Sequence, residues 1–180
     1  MDWVLVASVA VPVGLGAAVG MLTKNETKGA WYESLNKPSW KPPNWVFAPV
    51  WTLLYILMGV AFWRMWKATR GTDTTANLLF ALQLALNLAW SLLFFNAHNL
   101  QGALFDIVAL LGVLTATFIS FYRVDHTAGL LLVPYVLWVA FATILTAFIY
   151  FNNRPGATGV LVTGAPTTGD PTTGAPTASP

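Results

Sequence analysis

The chain has 180 residues, enough for one compact domain, yet only 9% of them are charged, against roughly a quarter in a water-soluble domain. Ionisable side chains are costly on a lipid-facing exterior, so this composition points to a bilayer as the solvent. A formal charge of +2, with nine Lys and Arg spread over segment ends, offers no nucleic-acid surface, and the lack of cysteine removes disulfides, thiolate metal sites and a cysteine nucleophile.

Crossing the hydrocarbon as helix takes about 20 apolar residues, because each backbone polar group must be paired within its own segment. Five stretches meet this, at about 3–22, 45–66, 76–95, 100–122 and 128–151. They predict an all-α, multi-pass integral membrane protein whose domain covers 1–154. The first stretch runs without a charge from Trp3 to Leu22. It exceeds a signal-peptide core, lacks a basic leader and has no clear small-residue cleavage site, so it is expected to be retained. Gly16 and Gly20 form a GxxxG on it, either a dimer face or close packing inside the bundle.

The connection from Thr23 to Asn44 is long and contains WYESLNKPSWKPPNW from Trp31 to Trp45. Pro38, Pro42 and Pro43 restrict their own φ and bias the preceding residues toward extended backbone, so a stiffened loop is expected at one membrane face. It reads either as a lid or as interfacial aromatics, Trp31, Tyr32, Trp40 and Trp45, of the kind that belt a bilayer.

Trp51, Tyr55 and Phe62 fall near one face of the second span, with Gly59 leaving space beside them. In the third, Gln83, Asn87 and Ser91 follow at intervals of four, beside Trp90. This polar stripe is expected to face the bundle interior, either bonding neighbouring helices or lining a ligand cavity. Ala81 and Ala85 are a weaker small-residue pair. The fourth span holds Asp106, the only carboxylate well inside a span. It is a functional candidate or a group hydrated near the interface, and without a second intramembrane carboxylate or His it has no partners for a proton relay or metal site. His98 and His126 read as loop residues.

Pro134, Trp138 and Ala142 share a face of the fifth span. Leu145, Tyr150 and Arg154 fit the loose sterol pattern L/V-x-Y-x-K/R. Short connections at 71–75, 97–99 and 124–127 make sequential helices antiparallel neighbours. Beyond Arg154 the chain turns to Thr, Pro and Gly, VTGAPTTGDPTTGAPTASP, and residues 155–180 are expected to be a disordered tail. Lys24, Lys28, Lys37, Lys41 and Arg154 on one face nearly balance Arg64, Lys67, Arg70 and Arg123 on the other, so basic residues set no orientation.

Four segments in order, WYESLNKPSWKPP, PVWTLLY from Pro49, QLALNLAWSLLFF from Gln83 and VPYVLWVAFATIL from Val133, resemble the translocator protein and tryptophan-rich sensory protein family over about 150 residues. The resemblance implies a five-helix bundle, commonly a homodimer, with a pocket beneath the first loop for tetrapyrroles such as protoporphyrin IX, for isoquinoline and benzodiazepine drugs, and for sterols. It implies pocket walls at Trp51, Asn87, Trp90, Trp138 and Ala142, a lid contributing Tyr32, Pro42 and Pro43, and a sterol site at Leu145, Tyr150 and Arg154. One departure is that Leu145 is followed by Thr146 where the family usually has Asn. The functions implied are porphyrin or sterol transport with stress regulation, no cofactor being required. The alternative is a light-dependent porphyrin-degrading enzyme in which Trp51 and Trp138 act as redox partners.

Overall fold

A computed structural model describes residues 2–154; the expected tail, 155–180, lies outside the described residues. Five long helices and one short one make up the fold: α1 (Trp3–Thr23), α2 (Ala30–Ser34), α3 (Asn44–Thr69), α4 (Thr74–Ser91), α5 (Leu100–Val124) and α6 (His126–Asn153). All five long elements are long and apolar enough to cross a membrane, α4 when taken with the turn that extends it to Asn96. At 1.5 Å per residue the 21 residues of α1 reach about 32 Å, which matches a hydrocarbon core of about 30 Å.

Helix starts are fixed by the few polar residues in the chain. Asp2, Asp73, Asn99 and Asp125 accept from the amides of Leu5, Ala76, Gly102 and Ala128, at 3.3, 2.9, 2.8 and 3.0 Å. Each satisfies an amide that has no intrahelical partner. α3 instead starts behind Pro42 and Pro43. His126 is the first residue of α6 rather than part of a connection, because the Asp125 cap leaves only that residue between α5 and α6.

The helices close into a ring in the order α1, α3, α6, α5, α4, with α4 returning to α1. Toward the end that carries Asp2 and Asp125 the ring is filled. Phe62 stacks on Phe80 at 4.2 Å, and Met58, Met65, Leu114, Phe121 and Tyr135 are fully buried. Gly59 does not leave the open space beside Trp51, Tyr55 and Phe62 that the sequence predicts. The backbone of α1 occupies that space, and a Cβ on Gly59 would lie 2.5 Å from the Ser8 carbonyl oxygen. Outward positions such as Leu53, Leu78, Phe105, Leu137 and Ile144 are exposed apolar side chains, an exterior suited to lipid.

At the other end α4 passes into a π turn over Leu92–Asn96, closed by the Ala97 amide donating to the Leu92 carbonyl at 2.9 Å. The widened turn brings Phe94 and Phe95 to the loop between α1 and α3. That loop carries α2, and Tyr32, Phe94, Ala103, Leu145 and Ile149 form a second buried cluster beneath it.

Candidate functional site

Between the two clusters lies a cavity of about 400 Å³, within the usual range for a small-molecule site. Tyr32 comes from α2, Trp51 and Tyr55 from α3, Trp90 and Ser91 from α4, Phe94 and Phe95 from the π turn, and Trp138, Ala142, Leu145 and Thr146 from α6. Val13, Gly16, Ala17 and Gly20 of α1 complete the wall. The walls are aromatic: Trp51 meets Trp138 edge to face at 6.5 Å and Tyr135 at 6.2 Å, and Trp90 stacks on Phe94 at 5.3 Å. The indole nitrogens of Trp90 and Trp138 are buried and find no acceptor among the described residues. Packing alone therefore holds both rings.

The floor is polar and closed. Tyr55 donates its hydroxyl hydrogen to Asn87 Oδ1 at 2.6 Å, and Asn87 Nδ2 donates to the Tyr135 hydroxyl at 2.8 Å. Asn87 is almost fully buried and absent from the cavity lining, so its amide joins α3, α4 and α6 beneath the site. One turn further from the lid, Gln83 is completely buried with its Nε2 3.9 Å from the Met58 sulfur. The polar stripe of α4 thus faces inward along its length, and only Ser91 reaches the lining.

The loop closes the top. Trp31 stacks on His98 at 4.0 Å, His98 reaches Glu26 at 3.3 Å, and Tyr32 packs among Phe94 and Phe95. Asn153 at the end of α6 clasps the loop, accepting from the Asn36 amide at 2.8 Å and donating to its carbonyl at 3.0 Å. Trp40 packs edge-on against Phe141 and Phe148 of α6. The Lys37 ammonium donates to the Tyr32 and Glu33 carbonyls. Burial pushes the Tyr32 hydroxyl up, helped by the Glu33 carboxylate. Burial, with repulsion from Lys37, holds the Lys41 ammonium below its ordinary value.

Among the residues singled out from sequence, Tyr32, Trp51, Trp90, Trp138 and Ala142 share the cavity wall. Pro42 and Pro43 lie outside it, at the entrance to α3, where the Lys41 ammonium donates to the Pro42 carbonyl at 3.0 Å. Leu145 is a buried part of the cavity wall, whereas Tyr150 is partly exposed and Arg154 rests its guanidinium over the Phe151 ring at 5.3 Å. Five and nine residues separate them from Leu145, which at 100° per residue turns both to the opposite side of the helix. Pro134 is exposed and Phe62 belongs to the filled core. Asp106 is half-buried outside the cavity, with one carboxylate oxygen buried and unpartnered among the described residues. Sequence reasoning did not select Tyr135, Thr146, Phe94 or Lys24. The three-residue offset from Trp138 back to Tyr135 was the available signal for the first of these.

Residues 8–151 match a model of the TspO/MBR family. The chain is 42% identical over 147 residues to the tryptophan-rich protein TspO of Chlorobaculum tepidum, covering 78% of this chain and 92% of that one. It is 38% identical over 155 residues to the translocator protein of Homo sapiens, with 84% and 92% covered. To protein CrtK of Rhodobacter capsulatus it is 42% identical over 130 residues, with 71% and 81% covered. With four-fifths of its length matched, and relatives of this identity aligned along most of their own chains, this five-helix membrane protein belongs to the TspO/MBR family.

Proposed function

We propose that the protein is a membrane receptor that takes a tetrapyrrole of the protoporphyrin IX type into the cavity beneath the α1–α3 loop, in service of porphyrin transport or sensing. The observation that carries this reading is the cavity wall itself. Trp51, Trp90 and Trp138 line one space of about 400 Å³, and broad indole faces suit a flat, apolar ring system. Lys24 stands at the mouth of the same cavity without an ion pair among the described residues. Its ammonium matches the carboxylates at one edge of such a ring. The relatives' names, translocator protein and tryptophan-rich sensory protein, agree with a receptor role.

The experiment is a titration of the detergent-solubilised protein with protoporphyrin IX in the dark, read by tryptophan quenching. Saturable quenching that weakens in Trp51→Phe and Trp138→Phe supports the reading, and an absence of quenching ends it. A second reading, light-dependent loss of the porphyrin, is favoured by the Trp51–Trp138 edge contact at 6.5 Å, which gives an excited ring two adjacent indole electron donors. Illumination of the saturated complex separates the two: a stable Soret band supports carriage, and bleaching that disappears in both Phe variants supports an enzyme using molecular oxygen as oxidant.

Sterol binding belongs to the same proposal in a narrower form. Because Leu145 faces the cavity, a surface sterol contact would rest on Tyr150 and Arg154. Unchanged cholesterol binding in Tyr150→Ser with Arg154→Leu would remove it. A homodimer is part of the proposal too. The outward-facing Ala81 and Ala85 of α4 are its candidate contact, and light scattering on Ala81→Leu with Ala85→Leu tests it.

A further inference from the structure

We infer that ligand reaches the cavity sideways from the bilayer, through a gap between α1 and α3, and not past the loop that covers it. The inference rests on the tetrapyrrole reading for its probe, but its geometry is independent of that reading.

α1 and α3 run antiparallel and come into backbone contact where Gly59 meets Ser8 and Val9. Two turns toward the loop, the Tyr55 ring wedges against Gly16, where an added Cβ would lie 2.2 Å from the ring. Continuing this register pairs Gly20 with Ala48 and Lys24 with Asn44, and there the helices no longer fill the space between them. A Cβ on Gly20 would meet nothing within 4 Å. Ala17, Gly20, Ala48 and Thr52 all line the cavity and are exposed, whereas the lining residues of α4, the π turn and α6 are not. Residues with both properties mark an opening, and these four are small.

The gap lies at acyl depth. Ala17 is seven residues from Lys24, about 10 Å below the end of α1. Thr52 donates its hydroxyl to the Ala48 carbonyl at 2.9 Å, so the rim presents a methyl rather than an unpaired polar group to lipid. Lys24 and Asn44 stand at the top, where the headgroups begin. An amphiphile with a flat apolar body and an acidic edge can keep that edge at the interface while its body slides in. The covering loop, by contrast, is pinned on the far sides of the ring by Asn36 on Asn153, Trp40 on Phe141 and Phe148, and Trp31 on His98. Upward opening breaks all of these contacts, whereas passage between α1 and α3 breaks none of them.

The test is stopped-flow tryptophan quenching of the full chain in phosphatidylcholine vesicles, mixed with vesicles carrying protoporphyrin IX. In Gly20→Leu with Ala48→Leu, both rates are expected to fall, association by about tenfold. Gly20→Leu alone, which enters open space, should slow both rates to a smaller degree. A chemical cross-link in Asn36→Cys with Asn153→Cys, which clamps the loop to α6, should leave both rates unchanged. The inference is overturned if the cross-link slows exchange while the leucines do not, or if the leucines weaken affinity without slowing association. Absence of quenching in the unmodified protein is a separate result, which ends the tetrapyrrole reading.

Discussion

The hydroxyl of Tyr55 donates to the side-chain carbonyl of Asn87 across 2.6 Å, and the same amide donates onward to Tyr135 at 2.8 Å. One residue of α4 therefore satisfies a buried phenol from α3 and another from α6 at the level where the cavity ends. Removing the amide strands both hydroxyls where water does not replace it.

Asn87→Ala should accordingly destabilise the fold by roughly 1–3 kcal/mol, the cost of buried polar groups left unpaired in a setting where interhelical hydrogen bonds average somewhat less. Thermal unfolding in detergent measures it. Weaker porphyrin binding should accompany the loss of stability, because the floor loosens. Weaker binding at unchanged stability would mean that Asn87 contacts ligand directly.

The contact of α1 with α3 makes the glycines unequal. Gly59→Val should cost about 1–3 kcal/mol or more, since its side chain has only the Ser8–Val9 backbone to displace. Gly14→Ala and Gly20→Ala meet nothing within 4 Å and should be neutral or stabilising by up to about 1 kcal/mol through helix propensity. Midpoints of thermal unfolding for the three variants decide this, and equal effects would refute the packing argument.

Asp125 caps α6 and pairs with Arg64 at 2.8 Å. Burial raises its carboxyl, but the Ala128 amide and the Arg64 guanidinium outweigh that and hold it below the ordinary 3.8. A depressed carboxylate stabilises the fold above its unfolded value, and that contribution fades as pH falls from near 3.8 through the lower folded value. Wild-type stability should therefore drop across this acidic range more than that of Asp125→Asn. At neutral pH, Arg64→Gln should cost only about 0.2–1 kcal/mol, because the pair is partly exposed.

Lys24 should discriminate by charge. Lys24→Gln should weaken binding of protoporphyrin IX several-fold, in keeping with roughly 1 kcal/mol for a partly exposed charged pair, and leave its dimethyl ester unaffected. Dark quenching titrations with the two ligands provide the comparison. Equal losses would remove Lys24 from ligand recognition.

Legibility in the sequence followed periodicity. Trp51, Trp138 and Ala142 were selectable because helical spacing aligns them on inward faces, and they line the cavity together with Trp90. Asn87 was selected for the same reason and does face inward, yet spacing does not say whether an inward amide meets a ligand or another helix. Its two tyrosine partners, 32 residues before and 48 after it, show that this amide bonds two neighbouring helices. Leu145, Tyr150 and Arg154 match a pattern along the chain but point to two sides of α6, because a pattern with free spacing ignores the 100° turn per residue.

What the sequence determined by itself is the solvent and the count of spans. Uninterrupted apolar length is a property of the chain alone, and a bilayer demands helices wherever it occurs. Only the tertiary structure decided how the space among the helices is shared. Gly59, Gly16 and Gly20 all lie along the contact between α1 and α3, but one is filled by a backbone, one by a tyrosine ring, and one is open. That difference depends on what the facing helix presents at each level, a backbone, a ring or nothing, which no residue encodes alone.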